Sequence, residues 1–68
     1  MKALKTLINE NKKYITTNKV FFAYSQKASN GDDGYFVSIN ELTDEQLNKR
    51  YLEREWWIED GDLCLHYK

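Results

Sequence analysis

The sequence predicts one small α+β domain in the order α-β-β-α-β-β, with a four-stranded antiparallel sheet and both helices packed on one face. Three observations lead to this prediction: an amphipathic N-terminal stretch, two pairs of alternating apolar segments that flank glycine-containing turns, and a helix-start motif between those pairs. A chain of 68 residues forms a single domain, residues 1–68. Its hydrophobic fraction of 41% is typical of a packed core and not of a disordered chain.

The first helix is predicted over residues 2–12. Leu4, Leu7 and Ile8 follow the i, i+3, i+4 spacing of one apolar stripe, and lysines occupy positions off that stripe. Because the stripe is narrow, we expect this helix to lie on a sheet. The polar stretch NENKKYITTNK that closes it predicts a connection.

Residues 19–26 and 35–41 predict the first hairpin, because both segments are rich in aromatic and β-branched side chains. The loop KASNGDDG between them has an Asn-Gly centre. Pairing about this centre places Phe22 opposite Ile39 and sends the better apolar set to the core face. The predicted core set is Val20, Phe22, Tyr24, Val37 and Ile39.

The second helix is predicted over residues 44–53. Thr43 is a favourable N-cap, and Gln46 three positions later completes a capping box. Asp44 and Glu45 follow in the first turn, where acidic side chains favour the positive end of the helix dipole.

The C-terminal stretch EWWIEDGDLCLHYK predicts a second hairpin that turns on Asp60-Gly61, a favoured pair for a type I′ turn. This turn places Glu59 opposite Asp62. Side chains alternate between faces along a strand, so the adjacent tryptophans point in opposite directions. Trp56 falls on the apolar face and is predicted to be core, whereas Trp57 is predicted to lie on the other face.

Trp57 and the acidic side chains around it form the first candidate site. Residues 1–27 carry a net charge of +5 and residues 28–68 a net charge of −6. An aromatic side chain ringed by charge is typical of a protein-binding patch, and here the patch suits a partner with a basic surface. In the alternative interpretation the N-terminal helix packs over Trp57. The predicted protein-binding residues are Trp57, Glu55, Glu59, Asp60 and Asp62.

The first hairpin carries a second candidate site, for single-stranded nucleic acid. Aromatic rings that stack on bases, interleaved with cations that bind phosphates, are the usual elements of such a site. The net charge of −1 and the acidic second half disfavour this function. The residues of this alternative are Lys19, Phe21, Lys27 and Phe36.

Two weaker patterns concern metals and catalysis. The spacing Asp62-x-Cys64-x-His66 places three ligand types on one strand face, but zinc sites usually need four ligands. The stretch NGDDGYFVSINE resembles a calcium loop only in its first residues. A chain with one histidine and no pocket-forming insertion is predicted to be no enzyme and to use no cofactor or metal.

In size and in lysine and asparagine content the chain resembles short accessory proteins of phages and mobile elements, which commonly bind a host protein. That resemblance implies an inhibitor or modulator of a host protein. The acidic patch suits a nucleic-acid-handling protein as that partner, with its carboxylates standing in for phosphates. The lone cysteine and the absence of a long apolar run predict a cytoplasmic protein with no membrane contact. The opposite charges of the two halves also allow a homodimer.

Overall fold

The computed structural model describes residues 1–24 and 33–66 and confirms a small α+β architecture with two helices. Two short 3-10 turns, Ile39–Glu41 and Glu53–Glu55, also occur. The strands are β1 (Lys2–Ala3), β2 (Lys19–Ala23), β3 (Gly34–Ser38), β4 (Arg50–Tyr51), β5 (Trp56–Glu59) and β6 (Asp62–His66), and the helices are α1 (Leu4–Glu10) and α2 (Asp44–Asn48).

The main sheet has the strand order β3-β2-β6-β5, and its central pair, β2 and β6, is parallel. The prediction of an entirely antiparallel sheet is therefore wrong at this pair, although both hairpins are antiparallel. Strands that are apolar on both faces occupy the centre of a sheet. β2 and β6 have this character, since eight of the ten residues in them are buried, and they form the junction between the hairpins.

A second, two-stranded sheet was not predicted from the sequence, and it shortens both helices. β1 and β4 pair antiparallel, and the Leu4 N–H donates to the Lys49 carbonyl oxygen at 2.9 Å. The helix predicted over 2–12 therefore begins at Leu4, and the helix predicted over 44–53 ends at Asn48. The extended conformation of β4 also brings the Tyr51 ring into the core, where it is 2% exposed.

The start of α2 agrees with its prediction. The Gln46 N–H donates to Thr43 Oγ1 at 3.1 Å, and the Thr43 N–H donates to Gln46 Oε1 at 2.9 Å. This reciprocal pair is the capping box expected from the sequence, and it satisfies two amide donors that the helix itself leaves unpaired.

The first hairpin has the predicted faces but a different register. Phe22 pairs with Tyr35 and not with Ile39, so the predicted pairing is wrong by four residues. An even shift keeps every side chain on its face, and four of the five residues predicted for the core lie in it or pack against it: Val20, Phe22, Val37 and Ile39. The prediction is wrong for Tyr24, which is 54% exposed because it lies beyond the end of β2 at Ala23. β3 ends at Ser38 because the chain then enters a 3-10 turn. The expected turn centre, Asn30-Gly31, lies outside the described residues.

The main core lies between α1 and one face of the sheet. Leu4 and Leu7 of α1 are fully buried, and Trp56 packs against the same cluster from the margin. Helix α2 contacts α1. The sheet residues and Tyr51 that complete this cluster are Val20, Phe22, Leu63, Leu65 and Tyr51.

Candidate functional site

The C-terminal hairpin that carries the first candidate site forms in the predicted register. Asp60 and Gly61 both have positive φ, 52° and 81°, as a type I′ turn requires. Glu59 pairs with Asp62, and Trp57 pairs with Cys64. The two tryptophans therefore point to opposite faces, and Trp56 packs against the main core as predicted.

One line of cross-strand pairs crosses the sheet on the face opposite α1, which we call the helix-free face. Phe36 pairs with Phe21, Phe21 with Cys64, and Cys64 with Trp57. Directly paired residues place their side chains side by side on one face. We call these four residues, Phe36, Phe21, Cys64 and Trp57, the aromatic row.

The aromatic row has a closed centre and two open ends. Phe21 and Cys64 are fully buried, whereas Phe36 is 44% exposed and Trp57 is half-buried. The Phe21 and Phe36 rings lie 4.8 Å apart between centroids at an interplanar angle of 43°. Aromatic side chains at both edges of the sheet thus cover its middle and leave part of their own surface exposed.

Trp57 forms the acidic end of the row. Its side chain packs against Phe21, Ala23 and Cys64, and its indole Nε1–H donates to Glu59 Oε1 at 3.0 Å. Helix α1 lies on the opposite face of the sheet, so it does not cover Trp57. Within the described residues the arrangement therefore differs from the alternative in which the N-terminal helix packs over this indole.

The four acidic residues of the candidate site divide into two pairs. Asp62 is 5% exposed and accepts a short hydrogen bond from the Thr17 hydroxyl, and Glu55 is 7% exposed and accepts from the Leu52 N–H at 2.7 Å. These two buried carboxylates therefore have a structural role, as acceptors of hydrogen bonds within the fold. Glu59 is half-buried and Asp60 is exposed, so these two carboxylates are the ones that a partner can reach.

Thr17 is a contributor that sequence reasoning did not select. It follows α1 and lies beside the turn of the C-terminal hairpin, where its N–H donates to the Gly61 carbonyl at 3.3 Å and its Oγ1 lies 3.0 Å from the same oxygen. These contacts attach the connection before β2 to the hairpin that carries Trp57. Thr17 and Gly61 are 44 positions apart in sequence, so no local pattern predicts the contact.

The residues of the nucleic-acid alternative are only partly accessible. Lys19 Nζ lies 5.8 Å from the centroid of the Phe36 ring, within the range of a cation–π contact. Phe21 is fully buried, so its ring offers no surface to a base. Lys27 lies outside the described residues. Of the predicted stacking rings, Phe36 alone is exposed.

The ligand types around Cys64 do not form a metal centre among the described residues. Burial raises the pKa of the Cys64 thiol to about 12, and the nearby carboxylates of Glu59 and Asp62 add to the increase. A thiol with this pKa stays protonated at neutral pH, which makes it a poor nucleophile and a poor metal ligand. His66 Nδ1 is buried and has no hydrogen-bond partner among the described residues.

Comparison with family models, with curated proteins and with solved structures finds no match to this chain. Neither helix of the described ranges has the length and apolar content needed to cross a bilayer. The functional inference therefore depends on the geometry of the helix-free face.

Proposed function

We propose that this chain is a non-enzymatic protein-binding module that docks through the Trp57 end of its helix-free face onto a partner with a basic surface. The observation that carries the proposal is the position of Trp57. It is half-buried on edge strand β5, on a face without a helix, next to the accessible carboxylates of Glu59 and Asp60.

The packing of Trp57 favours protein binding over a purely structural role. Tryptophan is enriched among the residues that dominate binding energy at protein interfaces, and such residues are usually rigid before the partner arrives. The contact with Phe21 and Cys64 and the hydrogen bond to Glu59 hold the indole in place. An indole fixed in this way loses little side-chain entropy when a partner covers its exposed part.

The charge around Trp57 supports a basic partner. Glu59 lies at the end of β5 and Asp60 in the turn that follows, whereas α1 packs on the other face of the sheet. Two accessible carboxylates beside an aromatic side chain match a surface rich in lysine and arginine, such as one that binds nucleic-acid phosphates. Binding there makes the chain a stoichiometric inhibitor or modulator of that partner, consistent with its likeness to accessory proteins of phages and mobile elements.

Single-stranded nucleic-acid binding at the other end of the row is the alternative function. Phe36 is 44% exposed and Lys19 lies against its ring, which provides one stacking surface and one cation. The buried Phe21 removes the adjacent platform, and the acidic residues at the Trp57 end repel phosphate. These two features make protein binding the better supported function.

The proposal is tested by capture from a lysate of the source organism with the immobilised chain and two alanine variants. Tyr14 is 52% exposed in the connection after α1, away from the aromatic row, so Tyr14→Ala is the matched control for loss of an exposed aromatic side chain. The wild-type chain and Tyr14→Ala are expected to retain the same basic protein. Trp57→Ala is expected to weaken that binding by about 2 kcal/mol or more, roughly 30-fold.

A second variant separates loss of binding from loss of folding. Trp57→Ala also removes packing from Phe21, whereas Glu59→Gln removes only a charge and keeps an oxygen that can accept from the indole. Glu59→Gln is expected to fold normally and to bind the captured protein more weakly. Equal capture by all variants contradicts the proposal. Retention on heparin with a steep salt dependence that is lost in Lys19→Gln supports the alternative.

A further inference from the structure

Strand β3 forms one edge of the main sheet and, as far as the described residues show, lacks the usual protection of an edge strand. It pairs with β2 on one side, and no described strand pairs with its other side. Natural edge strands are usually protected from pairing by charged side chains, proline or a bulge. The sequence of β3, GYFVS, contains neither a charged residue nor proline, and its five pairs with β2 are continuous.

The hydrogen bonds to β2 determine which amides of β3 face outward. Tyr24 N–H donates to the Asp33 carbonyl at 2.8 Å, and Ile39 N–H donates to the Asn18 carbonyl at 2.9 Å. Antiparallel residues alternate between groups directed at the partner strand and groups directed away from it. Counting inward from both ends of the ladder, the outward backbone groups belong to Gly34, Phe36 and Ser38.

The opposite edge of the sheet, strand β5, differs from β3 in its charged residues. Strand β5 ends in Glu59, and three consecutive charged residues, Glu53–Glu55, come before it. Charges at both ends of a strand oppose the approach of a second strand. Strand β5 therefore contains a charged residue, Glu59, whereas the acidic neighbour of β3, Asp33, lies outside that strand.

We propose that two copies of this chain form a symmetric dimer by antiparallel pairing of their β3 edges, centred on Phe36. The pattern of outward backbone groups is self-complementary about Phe36. In the dimer Phe36 lies opposite Phe36 of the second copy, and the Ser38 N–H of each copy faces the Gly34 carbonyl of the other. A two-fold axis requires this kind of self-complementarity. The strand itself carries no charge, and pairing centred on Phe36 places the preceding Asp33 opposite Ile39 of the second copy and not opposite another acidic residue.

The exposed ring of Phe36 gives the pairing a hydrophobic component. It is one of four large apolar side chains that are exposed among the described residues, and it lies on the edge strand itself. Directly opposed aromatic residues on antiparallel strands stabilise the pair. The dimer joins two four-stranded sheets into one of eight strands and leaves both Trp57 ends free, so this inference does not depend on the proposed function.

Replacement of Ser38 by proline and by alanine provides a matched test. Ser38 has φ −63°, which is the value that proline imposes, and Val37 before it is extended, as a residue before proline must be. Ser38→Pro thus removes one outward N–H without strain and leaves pairing with β2 intact. Ser38→Ala removes the hydroxyl and keeps the N–H.

Sedimentation velocity over a concentration series measures the effect. The wild-type chain and Ser38→Ala are expected to dimerise with similar dissociation constants, and Ser38→Pro is expected to raise that constant at least tenfold while its circular dichroism spectrum stays native. In the wild-type chain the amides of Phe36 and Ser38 are expected to exchange faster with solvent on dilution. This second measurement needs no variant.

Three outcomes overturn the inference. The first is a wild-type chain that remains monomeric at the high concentrations used for NMR. The second is a dimer that Ser38→Pro does not weaken. The third is a dimer that dissociates on addition of salt without any change in Phe36 or Ser38 exchange, which indicates pairing through the oppositely charged halves of the chain.

Discussion

Replacement of Thr17 by valine tests the contact that attaches the α1–β2 connection to the Trp57 hairpin. Valine keeps the β-branched shape and removes the hydroxyl that donates to the buried Asp62 carboxylate. A hydrogen bond to a charged group contributes about 1.5–3 kcal/mol. A domain of this size has a net stability of about 3–5 kcal/mol, so the loss is a large fraction of the total.

The expected effect is measurable by thermal unfolding followed by circular dichroism. For a domain of this size each kcal/mol corresponds to about 4–8 °C in Tm, so Thr17→Val is expected to lower Tm by roughly 6–24 °C. Thr16→Val is the matched control. It makes the same chemical change at the neighbouring exposed residue, whose side chain makes no hydrogen bond to another described residue. Thr16 packs on Gly61 through shape alone, and valine keeps that shape, so this change is expected to shift Tm much less.

A double-mutant cycle that combines Thr17→Val with Asp62→Asn isolates the interaction energy between these two side chains. If the hydroxyl and the carboxylate interact as the structure indicates, the two single changes are expected to be strongly non-additive, with a coupling energy of about 1 kcal/mol or more. Additive effects, or a Thr17→Val chain as stable as the Thr16→Val control, refute the assignment of this contact.

Two further predictions concern the centre of the aromatic row and its edge. Because the Cys64 pKa is raised to about 12 in the folded chain, the unfolded chain releases this proton first and alkaline pH favours unfolding. Above about pH 9 the wild-type chain is expected to lose up to about 1.4 kcal/mol of stability per pH unit relative to Cys64→Ala, as measured by urea unfolding; parallel pH profiles contradict this. An added Cβ at Gly34 would clash with the Phe22 carbonyl oxygen and lie 2.8 Å from Phe21 Cζ, so Gly34→Ala is expected to cost about 1–3 kcal/mol in the same assay, and an unchanged unfolding midpoint contradicts that packing.

Features encoded by residues adjacent in sequence could be predicted reliably. The type I′ turn at Asp60-Gly61 and the capping box of Thr43 and Gln46 depend on the conformational and hydrogen-bonding preferences of two to four consecutive residues. The turn then determines the register of the whole C-terminal hairpin, which is why Trp56 and Trp57 are on the faces expected for them.

Features that depend on distant residues could not be predicted in this way. The pairing of β1 with β4 joins the segment before α1 to the segment after α2. It ends α2 at Asn48, although the sequence beyond Asn48 has a helical pattern. The parallel contact between β2 and β6 likewise depends on how two complete hairpins pack. Each of these contacts involves residues more than 40 positions apart, and local periodicity carries no information about them.

The candidate site shows the same division. The position of Trp57 on the helix-free face follows from strand alternation, whereas the burial of Glu55 and Asp62 depends on partners outside the hairpin or in the preceding turn. The burial of Phe21 similarly depends on Phe36 and on the packing of Trp57 from the other side. Composition alone treats acidic side chains as exposed, so it overestimates the accessible charge.

Whether Trp57 is the docking residue is tested most directly by NMR titration of the two indole N–H resonances, which report on both faces in one spectrum. A peptide rich in lysine and arginine is added to the labelled chain, and oligo(dT) is added to a second sample. The Trp57 indole, hydrogen-bonded to Glu59, is expected to shift with the basic peptide while the Trp56 indole does not. Equal shifts of both indoles, no shift of either, or a response confined to Lys19 and Phe36 with oligo(dT) contradicts the assignment of the protein-binding surface to Trp57.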